Sequence, residues 1–334
     1  MYRRICAVIV AAAAVVLTPV SASAATISCQ SASVPTVVAG ITWQMHGDLC
    51  LPAGGQANTV QVMVPGSTYD STYWNFPYSP DTYNFRLAMN RAGYATFTVD
   101  RFGTGGSSRP LSALVTATTQ TLGVHNVIQA LRGGAVLDKS FGKVVLVGHS
   151  LGSAIAVMEA ATFYDVDGVV LAGFSHRLNT AQLASFSAQP AFLDPAFAGK
   201  NYDPLYITST PGTRYNAFYA PGVADPQVVA VDEQTKSVVS TTEQLDGIAV
   251  AITSPYSIMI TAPVLIALGN QDTLFCGPPA GCPSADAVRQ AEAPYFNPAA
   301  ALQVSLLPGA GHAANLFPNT GLYQQAVIAW ANAH

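Results

Sequence analysis

The sequence predicts an α/β fold: a mostly parallel central sheet with helices on both faces and one inserted helical cap. Three observations predict it. Strand-like and helix-like patterns alternate over most of the chain, which calls for parallel strands joined by short turns and helical crossovers. The alternation stops over residues 175–262 and then resumes, and a stretch of that length is too long for a simple loop. The aliphatic run Lys143 to Val147 passes directly into Gly148-His149-Ser150-Leu151-Gly152 and then into a small-residue helical pattern.

The elements follow in chain order. Arg3 and Arg4 precede an apolar run from Ile5 to Val20, and Ala22-Ser23-Ala24 forms a small-residue cleavage signal. The run is shorter than the roughly 20 residues a spanning helix needs, and Pro19 interrupts it. Residues 1–24 therefore read as a secretory leader, and the mature chain from Ala25 is expected to be extracellular without a membrane anchor. The formal charge is −4 with only 10% charged residues, and loss of Arg3 and Arg4 makes it more acidic still. Such a chain offers no basic patch, which excludes nucleic acid and anionic membrane as partners.

Cys6 leaves with the leader, so Cys29, Cys50, Cys276 and Cys282 remain for an oxidising compartment. Three connectivities are possible. Cys29 with Cys50 and Cys276 with Cys282 are favoured, the second closing the short loop "CGPPAGC". The spacings contain no paired CxxC and no nearby histidine, so no metal is expected at the cysteines.

Two antiparallel strands are expected in Thr36 to Pro52, and "TVQVMVPG" reads as a strand of period two. "DTYNFRLAMNRAG" reads as one helix ending at Gly93. The strand "YATFTVD", the loop "RFGTGGSSRP" and the helix "TQTLGVHNVIQALRGG" lead to the strand before Ser150. After "VDGVVLAGF" the rhythm breaks. The segment 175–262 is rich in proline and aromatics, with one helix-compatible stretch near Gln227 to Leu245. Beyond it come the strand "APVLIALGNQD", the helix "SADAVRQAEAPYF", the strand "LQVSLLPGAGH" and the closing helix "GLYQQAVIAWANAH". The implied organisation is a core of 25–174 and 263–334 interrupted by the cap.

A lone serine between two glycines at a strand-to-helix turn matches the nucleophile-elbow pattern, in which small neighbours tolerate a strained serine backbone. The following helix N-terminus favours negative charge developing nearby. A serine hydroxyl needs a base, itself oriented by a carboxylate. Of the six histidines, His149 lies on the elbow beside the nucleophile. His46, His125 and His334 sit in strand, helix and terminus, where structural roles are expected. His312 follows a strand through the turn "PGAG" and is the expected base. Asp272, four residues past "VLIAL", is the expected acid, with Asp246 and Asp286 in reserve; Phe174-Ser175-His176 after the preceding strand offers no carboxylate. Two backbone N–H groups should hold the oxyanion: Leu151, directly after the nucleophile, and Ser67 in the loop after "VQVMV".

Five segments in this order, "VMVPGSTYDSTYW", "AGYATFTVDRFGTGGSS", "VVLVGHSLG", "PVLIALGNQD" and "LLPGAGH", resemble the α/β-hydrolase superfamily across almost the whole mature chain. The resemblance implies the α/β-hydrolase fold, and structural roles for Asp100 and Arg101. One departure is Pro65-Gly66, where the family often carries His-Gly; the backbone donor survives that change. A serine nucleophile sets the chain apart from the epoxide hydrolases and dehalogenases of this fold, which use aspartate.

The leading expectation is a secreted serine hydrolase of a carboxylic ester or lactone, needing no cofactor and acting as a monomer on a small-molecule or lipid-like ester. Tyr69, Trp74, Phe174 and His176 are candidate pocket residues, the first two within an aromatic run that also includes Tyr73, Phe76 and Tyr78. An aminopeptidase or amidase on the same machinery would need acidic groups in the cap, for which Asp225, Asp232 and Glu233 are the candidates. A perhydrolase on the same triad, or a catalytically silent binding protein, completes the alternatives.

Overall fold

The computed structural model describes residues 26–254, 256–277 and 281–334, so the expected leader lies outside the described residues. The chain opens with an antiparallel hairpin, β1 (Ser28–Val38) and β2 (Ile41–Leu51), followed by β3 (Thr59–Val64), β4 (Ala95–Val99), β5 (Lys143–His149) and β6 (Gly168–Ala172). A small antiparallel sheet of β7 (Ala188–Pro190), β8 (Tyr206–Ser209) and β9 (Val239–Ser240) comes next, and β10 (Val264–Gly269) and β11 (Gln303–Leu307) close the order. The main sheet runs β1-β2-β4-β3-β5-β6-β10-β11. Only the β1–β2 and β2–β4 pairings are antiparallel.

Helices α1 (Pro80–Tyr83) and α2 (Phe85–Arg91) lie between β3 and β4, α3 (Ala117–Gly133) between β4 and β5, and α4 (Leu151–Phe163) between β5 and β6. The stretch between β6 and β10 contains α5 (Thr180–Ala184), α6 (Pro226–Gln234) and α7 (Thr241–Gly247), and α8 (Ala285–Glu292) and α9 (Thr320–Ala333) follow.

The continuous apolar runs reflect a sheet covered on both faces. In β5, Val144 and Leu146 enter the core beneath α3 and α4, whereas Val145 and Val147 enter the core beneath α2 and α9. The same covering corrects the expected half-exposed alternation of "TVQVMV": β3 lies between β4 and β5, and Val60 to Val64 are all buried. The expected single helix before β4 is two, because Asn84 adopts an extended backbone (φ −86°, ψ 95°) and its side chain caps α2 by accepting from Leu87 N at 2.8 Å.

Both favoured disulfides are formed. Cys29 and Cys50 face one another across the β1–β2 ladder, and Cys276 bonds Cys282. The stretch between β6 and β10 is not purely helical as expected: it carries the three-stranded sheet, and the helix-compatible stretch near Gln227 is two helices separated by β9. Strands of two to four residues leave no periodic trace, and their pairing depends on residues far away in the chain.

Candidate active site

Ser150 occupies the single position between β5 and α4, at φ +54° and ψ −118°. A non-glycine residue there is strained, and the surrounding ladder over-determines it. Its N–H donates to Ala172 O of β6 at 2.8 Å, and the Ser153 hydroxyl donates to the same carbonyl at 2.9 Å. The flanking glycines are required by close approach: a Cβ on Gly152 would lie 2.1 Å from Val64 O, and one on Gly148 would lie 2.4 Å from Gly152 O. The first turn of α4 therefore packs directly against the end of β3.

The loops after β10 and β11 bring Asp272 and His312 together. His312 Nδ1 lies 2.9 Å from Asp272 Oδ2, and both side chains are buried. Asp272 Oδ1 accepts from the N–H groups of Leu274 and Phe275 at 2.9 and 3.1 Å, which fixes the carboxylate. An accepting carboxylate places the proton on Nδ1 and leaves the Nε2 lone pair free. His312 Nε2 has no hydrogen-bond partner among the described residues. Phe218 and Phe275 flank the imidazole at ring separations of 5.9 and 5.7 Å.

His149 lies beside this pair. Its ring stacks on Tyr73 at 4.2 Å, and its Nε2 is 3.3 Å from His312 O. Burial, with His312 nearby, holds the His149 imidazole well below the ordinary histidine range, so it stays neutral. It can therefore donate to the His312 backbone carbonyl.

The loop after β3 passes over the start of α4. Neither Leu151 N–H nor Ser67 N–H donates to another group among the described residues. Arg101, fully buried, braces this loop by donating to Gly66 O at 3.0 Å, and pairs with Glu243. Asp100 accepts from Ser71 N at 3.0 Å and Gly106 N at 2.8 Å. A second brace was not anticipated from the sequence. Arg214 donates to Thr68 Oγ1 at 3.0 Å and pairs with Asp232 through Nε–Oδ2 at 3.0 Å and Nη2–Oδ1 at 2.9 Å. Tyr219 OH also donates to Asp232, at 2.8 Å.

Ser150, Leu151 and Ser67 open onto a cavity of about 220 Å³. Its walls include Leu178, Leu183, Phe186, Phe218, Ile248 and Phe275, with Asn216 and Gln244 as polar groups. Gln244 Oε1 is buried and unpartnered among the described residues. The expected pocket set is corrected, since none of Tyr69, Trp74, Phe174 and His176 lines this cavity. Tyr69 is covered by Arg214, whose guanidinium lies 4.3 Å from its ring centroid, and Trp74 is buried against Phe85. Phe174 is fully buried in the core. His176 is held between Glu292 (Nδ1–Oε2 2.6 Å) and Ser257 (Nε2–Oγ 2.9 Å). The lining residues lie in a stretch without regular spacing, and only its richness in aromatic and aliphatic residues pointed to them.

The sequence profile of the alpha/beta hydrolase family matches residues 61–325. No curated protein sequence matches the chain. Among solved structures, a putative aryl esterase from Burkholderia cenocepacia superposes with a TM-score of 0.60 at 14% identity, covering 91% of this chain and 98% of its own. A thermophilic esterase from Thermogutta terrifontis gives 0.59 at 16% identity, with coverage of 91% and 98%. A metagenome-derived lipolytic enzyme gives 0.53 at 18% identity, covering 83% of this chain and 95% of its own. The chain belongs to the alpha/beta hydrolase family.

Proposed function

We propose that the protein is a secreted serine esterase acting on carboxylic esters or lactones with a hydrophobic group. The observation that carries the reading is that strained Ser150 opens onto an apolar cavity whose wall includes Phe218 and Phe275, the two rings flanking the His312–Asp272 pair. In this reading His312 Nε2 takes the Ser150 hydroxyl proton as Oγ attacks the substrate carbonyl. The Leu151 and Ser67 N–H groups hold the developing oxyanion, and His312 then returns the proton to the leaving alcohol. Water, deprotonated by His312, attacks the acyl-serine and releases the acid. Asp272 orients His312 and stabilises its imidazolium. No cofactor takes part.

The ester reading is favoured over the aminopeptidase because the acidic groups that an amine would need are engaged. Asp232 pairs with Arg214, Glu233 pairs with Lys236, and Asp225 caps α6 by accepting from Gln227 N at 2.8 Å. The esterases and lipolytic enzymes among the structural neighbours agree with it. Residues 175–262 act as the cap that supplies most of the cavity wall. The leader over 1–24 and the two disulfides together support export, and among the described residues no helix is long and apolar enough to cross a membrane. A p-nitrophenyl ester series tests the reaction. Ser150→Ala should abolish both turnover and labelling by a fluorophosphonate probe, and retention of either refutes the role of Ser150.

A further inference from the structure

Where α3 packs against α4, three donors from three segments converge: His125 of α3, Glu159 of α4 and Asp165 of the loop before β6. Glu159 lies nine residues beyond Ser150, roughly 13 Å further along the helix axis, so the cluster is separate from the candidate active site. Four of its buried atoms have no hydrogen-bond partner among the described residues: His125 Nδ1, Glu159 Oε1 and Oε2, and Asp165 Oδ1. His125 Nδ1 is 2.9 Å from Asp165 Oδ2 and 3.5 Å from Glu159 Oε1, but neither approach is aligned as a hydrogen bond.

Glu159 itself is fully buried with no aligned hydrogen bond to either oxygen among the described residues and only His125 Nδ1, at 3.5 Å, as a cationic neighbour, and such a carboxylate is costly. Donors around a tetrahedral ion with bonds of about 2.0–2.2 Å stand roughly 3.3–3.6 Å apart, and one ligand atom from each of these residues lies within 4.8 Å of the other two. We propose that His125, Glu159 and Asp165 bind a divalent transition-metal ion of the zinc class, with solvent as a further ligand.

The surroundings suit that role. Phe163 stacks on the His125 ring at 3.7 Å and fixes its plane. Gln129 Nε2 donates to Asp165 Oδ2, and Arg132 donates to Asp165 O at 2.8 and 2.9 Å, which orients the loop that carries the third ligand. The side chains of His125 and Asp165 keep 21% and 14% of their exposure, leaving an entry route for the ion. One imidazole with two carboxylates favours zinc-class ions over calcium, which takes six to eight oxygen ligands. A bound ion would clamp α3 to α4 and the loop after it, and would not enter the reaction at Ser150.

The test uses untagged protein dialysed against EDTA, with zinc or calcium returned and metal content and melting temperature measured. Zinc should bind one per chain and raise Tm by about 4 °C at a hundredfold excess over Kd. Glu159→Gln and Asp165→Asn should each remove the bound zinc and the shift; Asp165 lies at the surface end of the cluster and serves if Glu159→Gln fails to fold. Absence of zinc binding overturns the proposal and leaves Glu159 as a protonated structural carboxyl. Zinc binding that survives both substitutions, or a shift with calcium alone, overturns it as well.

Discussion

Asp232→Asn tests the buried brace behind the loop after β3. The Arg214 and Asp232 side chains are essentially inaccessible to solvent, and Asp232 is the only counter-charge within 4 Å of Arg214 among the described residues. Burial alone would depress the arginine, but Asp232 more than compensates and holds its pKa above the ordinary value. Replacing Asp232 with the near-isosteric amide keeps the volume and leaves the guanidinium buried without a counter-charge. Breaking such a pair from one side costs about 3–5 kcal/mol. With an unfolding entropy of about 2.1 cal/mol/K per residue, a chain of this length has roughly 0.7 kcal/mol/K, so Tm should fall by about 4–7 °C. Tyr219→Phe removes only the 2.8 Å hydrogen bond to the same carboxylate and should cost about 1 kcal/mol, or 1–2 °C. Differential scanning calorimetry on both variants separates the two values. A fall in Tm for Asp232→Asn no larger than that for Tyr219→Phe would refute the view that an unscreened buried charge holds this loop.

Two further outcomes follow from the same structure. Asp272→Asn should leave the fold and the cavity intact and lower kcat on a p-nitrophenyl ester by about 10⁴-fold, because the amide favours the wrong His312 tautomer; a loss below tenfold excludes Asp272 as the orienting acid. In metal-free protein, burial raises the Glu159 pKa and the neighbouring Glu159 carboxylate raises that of His125. Both groups bind protons more tightly in the folded state than in the unfolded state, so the stability they contribute is present at pH 4–5 and is lost as pH rises towards 8. Chemical denaturation at pH 5 and pH 8 should show that loss in the wild type and a smaller one in Glu159→Gln, and equal slopes in the two proteins would contradict it.

The sheet was legible because parallel strands covered on both faces have no choice but to be apolar throughout, as in "KVVLV" and "VLIAL". The geometry at Ser150, Asp272 and His312 was legible because each residue sits at a strand end, where chain order and short turns restrict where a side chain can go. The cavity wall was not. Leu178, Phe186, Phe218 and Ile248 come from a segment whose spacing follows neither helix nor strand, and they are brought together by three very short strands. The aromatics after Ser67 were misplaced for a related reason. Proximity in sequence to the loop after β3 says nothing about which side of it a ring falls on, and the Arg214 guanidinium stacks over Tyr69.

Glu159 shows the opposite case, a signal present in the sequence and not used. "SAIAVMEAA" is a helix apolar on every face, and such a helix is buried all round, so its single carboxylate had to be buried with it. A charge in that position must find a proton, a cation or a metal ion. Its position therefore points, before any coordinates, to a group on the neighbouring helix or the following loop that could meet it. His125 lies on the one and Asp165 on the other. Chemistry-bearing residues at loop ends are easy to recognise by their motifs, whereas a lone charge inside an apolar helix is recognisable only through what its burial forces on its neighbours.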